Sequence, residues 1–424
     1  MIERSAYIKK LINSMRNNNV KVITGIRRCG KSTLLFGLFK KYLLNSGIEE
    51  SNIVEIRFDD SKFFELRNPF LLTKYLNEEI IKRNNSKMYV FLDEIQYVEN
   101  RKDKESEVSL NVFDVLNGLR NNPNVDVYVT GSNSKMLSKD IITEFRGRST
   151  QIRVHPLSFK EFYSSRSDDL NSSLREYLIL GGMPGLLSLN KEEKQEYLIN
   201  LYKETYIKDI VERNKIERPD LLNNILDFLA STVSSLTNTN KIANSLTSIK
   251  NEKVSHLTVF NYTNYLVDSF LVSEARRYDI KGKMYFEYPS KFYFEDLGLR
   301  NARLNFRQMD EGHLTENLIY NELISRGLNV DIGLIYKRTS SKKIDYEIDF
   351  VVNKIDKRIY IQSAYKIDNI EKEAFEKRSL KMIPDNFKKI VIRNDLLMSY
   401  YDDDGIYHMT LTDFLLKEEL LFWL

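Results

Sequence analysis

The sequence holds a single cysteine, Cys29, among its 424 residues. A lone thiol cannot close an internal disulfide, so no cross-link staples the fold, and this usage suits a reducing compartment. Histidine is nearly as scarce: the four are scattered and no pair stands at zinc-ligand spacing. No run approaches the roughly 18–20 apolar residues of a membrane span. The N-terminus is polar and charged from Glu3 onward and has no apolar signal-peptide core. The expected location is therefore the cytoplasm, with no membrane partner. An excess of one charge is missing too. The 64 Lys and Arg against 60 Asp and Glu leave +4, too little to argue nucleic-acid binding by itself. What is present, 42% hydrophobic and 29% charged residues, is the composition of a globular chain with several cores.

Apolar segments at 20–24, 52–58, 88–92, 125–130 and 151–154 read as strands, and 31–44, 70–83 and 112–121 read as helices between them. Strands alternating with helices predict an α/β fold with a parallel sheet. Residues 158–214 read as helical, broken at Gly181–Gly185. From Pro219 three helices are expected, the last over 257–270, and then two strands, 283–289 and 291–294, turning at Pro289-Ser290. That order is the order of a winged helix. From Glu311 the pattern is helix, three strands, helix, strand. The expected domains are 1–160, a P-loop core; 161–218, a helical extension or lid; 219–305, winged-helix-like; and 306–424.

Gly25, Ile26, Arg27, Arg28, Cys29, Gly30, Lys31 and Ser32 spell G-x-x-x-x-G-K-[ST], with Thr33 following, between an apolar strand and a helix. The glycines let the loop curl until its N–H groups face phosphate oxygens, and the helix N-terminus adds a favourable field. Lys31 is placed to reach the β- and γ-phosphates and the Ser32 hydroxyl to ligate Mg²⁺, so ATP and Mg²⁺ are the expected ligands. No Asn-Lys-x-Asp run is present, which tilts the base toward adenine. The strand 88–92 leads into Asp93 and Glu94. This is the Walker B arrangement, in which Asp93 serves the metal shell and Glu94 a water.

After the next strand, Thr130 or Asn133 suits the orientation of that water, or the two simply belong to a Gly-Ser-Asn turn. Arg146 or Arg148 could serve a neighbouring subunit's γ-phosphate as an arginine finger, act in cis, or lie on the surface. Arg27 and Arg28 line the nucleotide or are solvated. Cys29 reads as filler more than as a redox switch.

These segments, with Leu92–Gln96, Thr130–Ser134, Gly147-Arg148 and Pro156–Phe159, resemble a large prokaryotic family of AAA-type P-loop ATPases. That family is close to the archaeal AAA and STAND-like ATPases and carries a C-terminal region of unknown function. Gly181–Pro184, Tyr206–Asp209, Tyr293–Gly298, Glu316-Asn317, Glu347–Phe350 and Tyr360–Gln362 extend the resemblance along nearly the whole chain. It implies an ATP-binding AAA module, a winged-helix-like middle and a restriction-endonuclease-like α/β C-terminal fold, and brings no substrate with it.

A winged helix suggests double-stranded DNA, yet the expected recognition helix offers His256, Asn261 and Asn264 with the acid Asp268. The wing does carry cations, Lys281, Lys283 and Lys291, with Arg276 and Arg277 just before it. A protein partner is the other candidate. The last unit resembles the PD-(D/E)xK nuclease core. In that pattern Glu316 and Asp349 are the first two acids, Glu347 shares a strand face with Asp349, Gln362 stands at the third acid position, and Ala364 stands where the lysine belongs. Lys366 could substitute only from a displaced position. The resemblance therefore implies a degenerate site, or simply a polar pair, Asp349 and Gln362, holding two strands. The reading is an AAA-type ATPase that hydrolyses ATP to drive conformational change on DNA or a protein partner, with assembly into homo-oligomers in view. The alternatives are an ATP-gated DNA-binding or signalling switch with slow turnover, and an ATP-coupled nuclease.

Overall fold

A strand whose every residue is apolar must be covered on both faces, and helices are what cover it. The computed structural model describes residues 2–83, 86–103, 107–131, 145, 147–250, 253–338, 342–355 and 357–417. They form two compact units, Met1–Pro156 with Asp268–Phe270, and Leu157–Val267 with Leu271–Leu424. Among the described residues no helix is long and apolar enough to cross a membrane.

The first unit opens with helix α1, Ser5–Ser14. Strand β1, Val20–Thr24, is buried along its whole length. It leads through the glycine loop into α2, whose middle, Thr33–Phe39, is π-wound before an α-helical end at Lys40–Asn45. Then follow β2 (Ile53–Arg57), α3 (Pro69–Lys82), β3 (Met88–Asp93), α4 (Val112–Arg120), β4 (Val125–Thr130) and β5 (Ser149–Arg153). The sheet order is β2-β3-β4-β1-β5, parallel throughout. Helix starts are marked by side chains that take up the free N–H groups: Asn68 caps α3, and Asn111 with Asp114 makes a capping box on α4.

A charged pair lies inside this sheet. Lys21 on β1 is fully buried and paired with Asp126 on β4. Asp126 also accepts from the Tyr128 hydroxyl (2.8 Å) and the Arg16 backbone N–H (3.2 Å).

The second unit begins with α5 (Phe159–Ser164), α6 (Leu170–Leu180), α7 (Lys191–Asn200) and α8 (Lys208–Asn214). Next come α9 (Pro219–Ser231), α10 (Thr239–Lys250), α11 (His256–Asp268), β6 (Val272–Asp279), β7 (Met284–Phe294) and α12 (Leu297–Arg303). The last part is α13 (Glu311–Ser325), β8 (Asn329–Arg338), β9 (Lys343–Lys354), β10 (Lys357–Ala364), α14 (Ile370–Lys381), β11 (Lys388–Arg393), β12 (Tyr400–Tyr401), β13 (Tyr407–Thr410) and α15 (Leu411–Leu416).

Two expectations change here. The hairpin is β6 with β7, turning near Lys281–Lys283, and does not turn at Pro289-Ser290. Pro289 instead sits in one long strand at an irregularity, where the pairing jumps from Arg277↔Phe286 to Ala275↔Lys291. Proline has no N–H to give a ladder, and a bulge is where a strand tolerates it. Second, β6 pairs in parallel with β8, so the hairpin and the C-terminal strands form one eight-stranded sheet, β12-β13-β11-β10-β9-β8-β6-β7. The expected boundary at 305/306 falls within the segment that joins strands of this sheet.

The broken-helix motif at Gly181 and the Tyr293–Gly298 motif meet. A Cβ on Gly298 would lie 1.9 Å from the Leu180 carbonyl oxygen, so only glycine lets α12 approach the end of α6. Asp296, fully buried, accepts from the Gly182 N–H (2.7 Å) and the Leu299 N–H (3.0 Å). Burial pushes its carboxyl up to about 6 despite those donors. Asn301 donates to the carbonyls of Leu178 and Ile179 in the last turn of α6, where a helix runs out of its own N–H donors.

Removing one partner of a buried pair leaves the other charge uncompensated, at about 3–5 kcal/mol. Asp126→Ala should therefore lower the stability of the first unit by about that amount in denaturant titration. The double variant Lys21→Met/Asp126→Leu should recover most of the loss. A cost under about 1 kcal/mol for Asp126→Ala, the range of an exposed pair, would refute the assignment.

Candidate functional site

Chain direction puts the ends of β1, β3 and β4 on one edge of the first sheet, the edge at which parallel α/β sheets carry ligands. Gly25 follows β1 with φ +144°, and a Cβ there would lie 2.1 Å from the Val154 carbonyl oxygen. The loop can thus lie tight against the end of β5. The Cys29 thiol is buried and donates to that same carbonyl at 3.3 Å. Arg27 is half-buried; Arg28 and Thr33 are exposed. Lys31 is buried and donates to the carbonyls of Gly25 (3.0 Å) and Ile26 (3.1 Å), across the mouth of its own loop.

Ser32 donates from its hydroxyl to Asp93 at 3.2 Å. The Thr130 hydroxyl donates to the same carboxylate oxygen and accepts the Glu94 backbone N–H at 3.3 Å. Burial raises the Asp93 carboxyl, and the hydroxyls of Thr130 and Ser32 pull against that rise. Glu94 leaves the strand in a left-handed conformation, φ 55°, and its carboxylate is held by the Gln96 amide. The fold therefore brings together Lys31, Ser32, Asp93, Glu94 and Thr130. Asn133 and Arg146 lie outside the described residues. Arg148 is exposed and stands at the start of β5, where its carbonyl accepts the Val20 N–H at 3.2 Å. It is at the opposite edge of the sheet from the loop, about 16 Å away along a five-residue strand, out of reach of its own chain's phosphate loop.

Three residues escaped the sequence reading. Arg4, buried and left-handed at the start of α1, donates to the Cys29 carbonyl (3.4 Å) in the loop and to the His155 carbonyl (2.7 Å) beyond β5. Tyr7, one turn on, accepts the His155 N–H at 3.1 Å. Nothing local in the sequence marks Arg4. Arg57 closes β2 in register with Asp93 and lies over the Phe36 ring at 4.4 Å. Its place as the last residue of a strand on the same edge was a signal that could have been read.

The second unit holds a separate polar cluster. Glu316 on α13 and Asp349 on β9 are buried close together, and Lys291 on β7 reaches both. Gln362 is beside them, its amide 3.4 Å from Glu376. Ala364 is buried, and Lys366 points into solvent, paired with Asp368 at 2.6 Å. The displaced substitution by Lys366 is therefore not made. The cation at this cluster is Lys291, expected on the wing.

A P-loop set before a helix on a parallel sheet, with an Asp-Glu pair at the same edge on the strand one removed, defines a nucleotide-binding AAA-type ATPase domain. A family profile described as "AAA domain" matches residues 17–163. Profiles described as domains of unknown function match 171–310 and 311–414. The chain is 32% identical to an uncharacterised protein of Haemophilus influenzae, over 98% of this chain and 99% of that one, and it belongs to that protein's family of AAA-domain proteins. It is also 29% identical to an uncharacterised protein of Methanocaldococcus jannaschii, over 96% of this chain and 88% of that one. Among solved structures it is similar to AMPPCP-bound DnaA from Aquifex aeolicus, at 17% identity over 63% of this chain and 88% of that one, with a TM-score of 0.31.

Hydrogen bonds from a charged donor contribute about 1.5–3 kcal/mol each. Arg4→Ala should thus loosen the loop and weaken binding of a fluorescent ATP analogue by roughly tenfold or more, with Arg4→Lys recovering part. Unchanged affinity would remove Arg4 from the site.

Proposed function

We propose that the first unit binds ATP with Mg²⁺ and hydrolyses it, and that the chain uses this cycle to change the disposition of its later domains toward a partner. The observation that supports this reading is the convergence of Lys31, Ser32, Asp93, Glu94 and Thr130 on one sheet edge, tied by Ser32–Asp93 and Thr130–Glu94 hydrogen bonds. Loop N–H groups and Lys31 suit the phosphates; Lys31 would exchange two carbonyls of its own loop for phosphate oxygens. Ser32 and Asp93 are an oxygen donor pair that suits Mg²⁺, whose charge would offset that of the phosphates when bound. Glu94, turned out of the strand beside Thr130, would orient a water and accept its proton. Arg148, on the far edge, can serve a phosphate only on a neighbouring copy, which would make turnover depend on assembly.

For the partner we favour a protein. The three helices α9–α11 and the hairpin β6–β7 keep winged-helix order, and this supports the second reading, an ATP-gated DNA-binding switch. The outward residues of α11, however, are His256, Leu257, Phe260 and Asn261, with Leu257 59% exposed. This face carries aromatic and aliphatic groups where a phosphate reader needs Lys or Arg. Of the wing cations, Lys291 is buried and Lys281 is bonded to the Tyr336 carbonyl at 3.2 Å.

The test is ATP hydrolysis by the purified chain with and without double-stranded DNA. Lys31→Ala should lose nucleotide binding. Glu94→Gln should keep binding and lose turnover by about 10²- to 10⁴-fold, and DNA should leave the wild-type rate unchanged. Wild-type turnover in Glu94→Gln would overturn the assignment of the base, and stimulation by DNA would restore the second reading.

A further inference from the structure

Three acids converge in the second unit. Glu316 comes from α13, and Glu347 and Asp349 share one face of β9. Such a set invites a divalent cation, and the resemblance to a nuclease core implies one. The donors present do not fit it. The Lys291 ammonium, its side chain 3% exposed, lies 2.8 Å from Glu316, 2.7 Å from Glu347 and 3.4 Å from Asp349. It occupies the ground between the carboxylates where an ion would have to sit. Mg²⁺ asks for about six oxygens at about 2.0–2.1 Å in octahedral array, and a fixed ammonium at the centre denies both the space and the sign of charge.

Two further donors take up part of the acids' remaining capacity. The Tyr293 hydroxyl donates to the same Glu316 oxygen as Lys291, at 2.7 Å, and the Ser363 N–H donates to the other Asp349 oxygen at 2.8 Å. Gln362, at the third acid position, brings no charge, and its amide is turned toward Glu376. Burial raises the carboxyls of Glu316 and Asp349, and the Lys291 charge pulls against that rise in both. Burial alone would lower the Lys291 ammonium; the carboxylates of Glu316, Asp349 and Glu347 more than reverse that and hold it charged.

Lys291 arrives by a backbone device. The irregularity around Pro289 precedes it on β7, and the residues after it are fastened to α13, where the Asn317 side chain both donates to the Phe294 carbonyl and accepts the Phe294 N–H, each at 2.9 Å. Ser290 is fixed in turn by two backbone bonds with Thr237, both 2.9 Å. The ammonium is thus held from both sides along its strand.

We propose that Lys291 is the resident cation of this cluster, standing in place of a divalent metal, and that the cluster is a lock between β7, α13 and β9 and not a nuclease centre. The experiment is a Mn²⁺ titration of the full chain followed by electron paramagnetic resonance, in an Asp93→Asn background that removes the metal position proposed for the first unit. The chain with Lys291 intact should show no saturable Mn²⁺ site that depends on Asp349, and should leave plasmid DNA uncut in Mg²⁺ or Mn²⁺. Lys291→Ala should gain one Mn²⁺ per chain with affinity tighter by roughly tenfold or more, and Lys291→Ala/Asp349→Asn should lose it again. A folded Lys291→Ala that gains no site overturns the proposal. If Lys291→Ala does not fold, the comparison of the Lys291-intact chain with its Asp349→Asn form decides alone: a Mn²⁺ site or DNA cleavage abolished by Asp349→Asn overturns the proposal, and equal, non-saturable titrations support it.

Discussion

Charge taken out of water has to be met where it lands, and both units are organised around that constraint. In the first, the fully buried Lys21 stands against Asp126, with a hydroxyl and a backbone N–H completing the acid's shell. In the second, Lys291 stands among three carboxylates, and Asp296 takes N–H groups from Gly182 and Leu299. Arg300, 1% exposed, donates to the carbonyls of Ala230 and Gln308. Each of these groups bridges elements that are distant in the chain, so each carries information about tertiary arrangement that apolar packing alone does not. Methyl groups can slide past one another at small cost, whereas a buried ion tolerates few positions for its partner.

The phosphate-loop edge shows the same rule used for chemistry. Asp93 is buried and raised, yet its donors are two hydroxyls and not a cation. Hydroxyl donors can rotate and yield a carboxylate to an incoming positive charge; a fixed ammonium cannot. That contrast separates these two acidic sites. Asp93 is only lightly partnered, which suits an exchangeable ligand, while the Glu316–Glu347–Asp349 group is filled by the protein's own cation. The resemblance of acids in sequence is therefore no guide to whether a metal is bound, because the deciding group lies on another strand.

The family motifs that lacked a chemical explanation gain one from packing. Gly181-Gly182 and Asp296–Gly298 are two halves of one contact, in which a missing Cβ admits a backbone and a buried acid satisfies the N–H groups that the close approach exposes. Asn301 and Asn317 do similar work, each closing backbone groups of a neighbouring element. These polar side chains act as spacers and caps, and they give the second unit its reading frame.

What the sequence determined by itself was whatever depends on neighbours in the chain. The glycine loop needs a few contiguous residues between a strand and a helix, and the parallel sheet follows from apolar segments alternating with helices, so both were legible and the observed strands differ from expectation by no more than two residues at either end. The tertiary structure alone decided where β7 turns, which edge of the sheet Arg148 occupies, that Arg4 steadies the loop, and that the cation among the C-terminal acids is Lys291. The reason is distance along the chain: Lys291 is 25 residues from Glu316 and 58 from Asp349. No local periodicity encodes such a meeting; it is set by an irregular strand, a helix and a second strand closing on one buried charge.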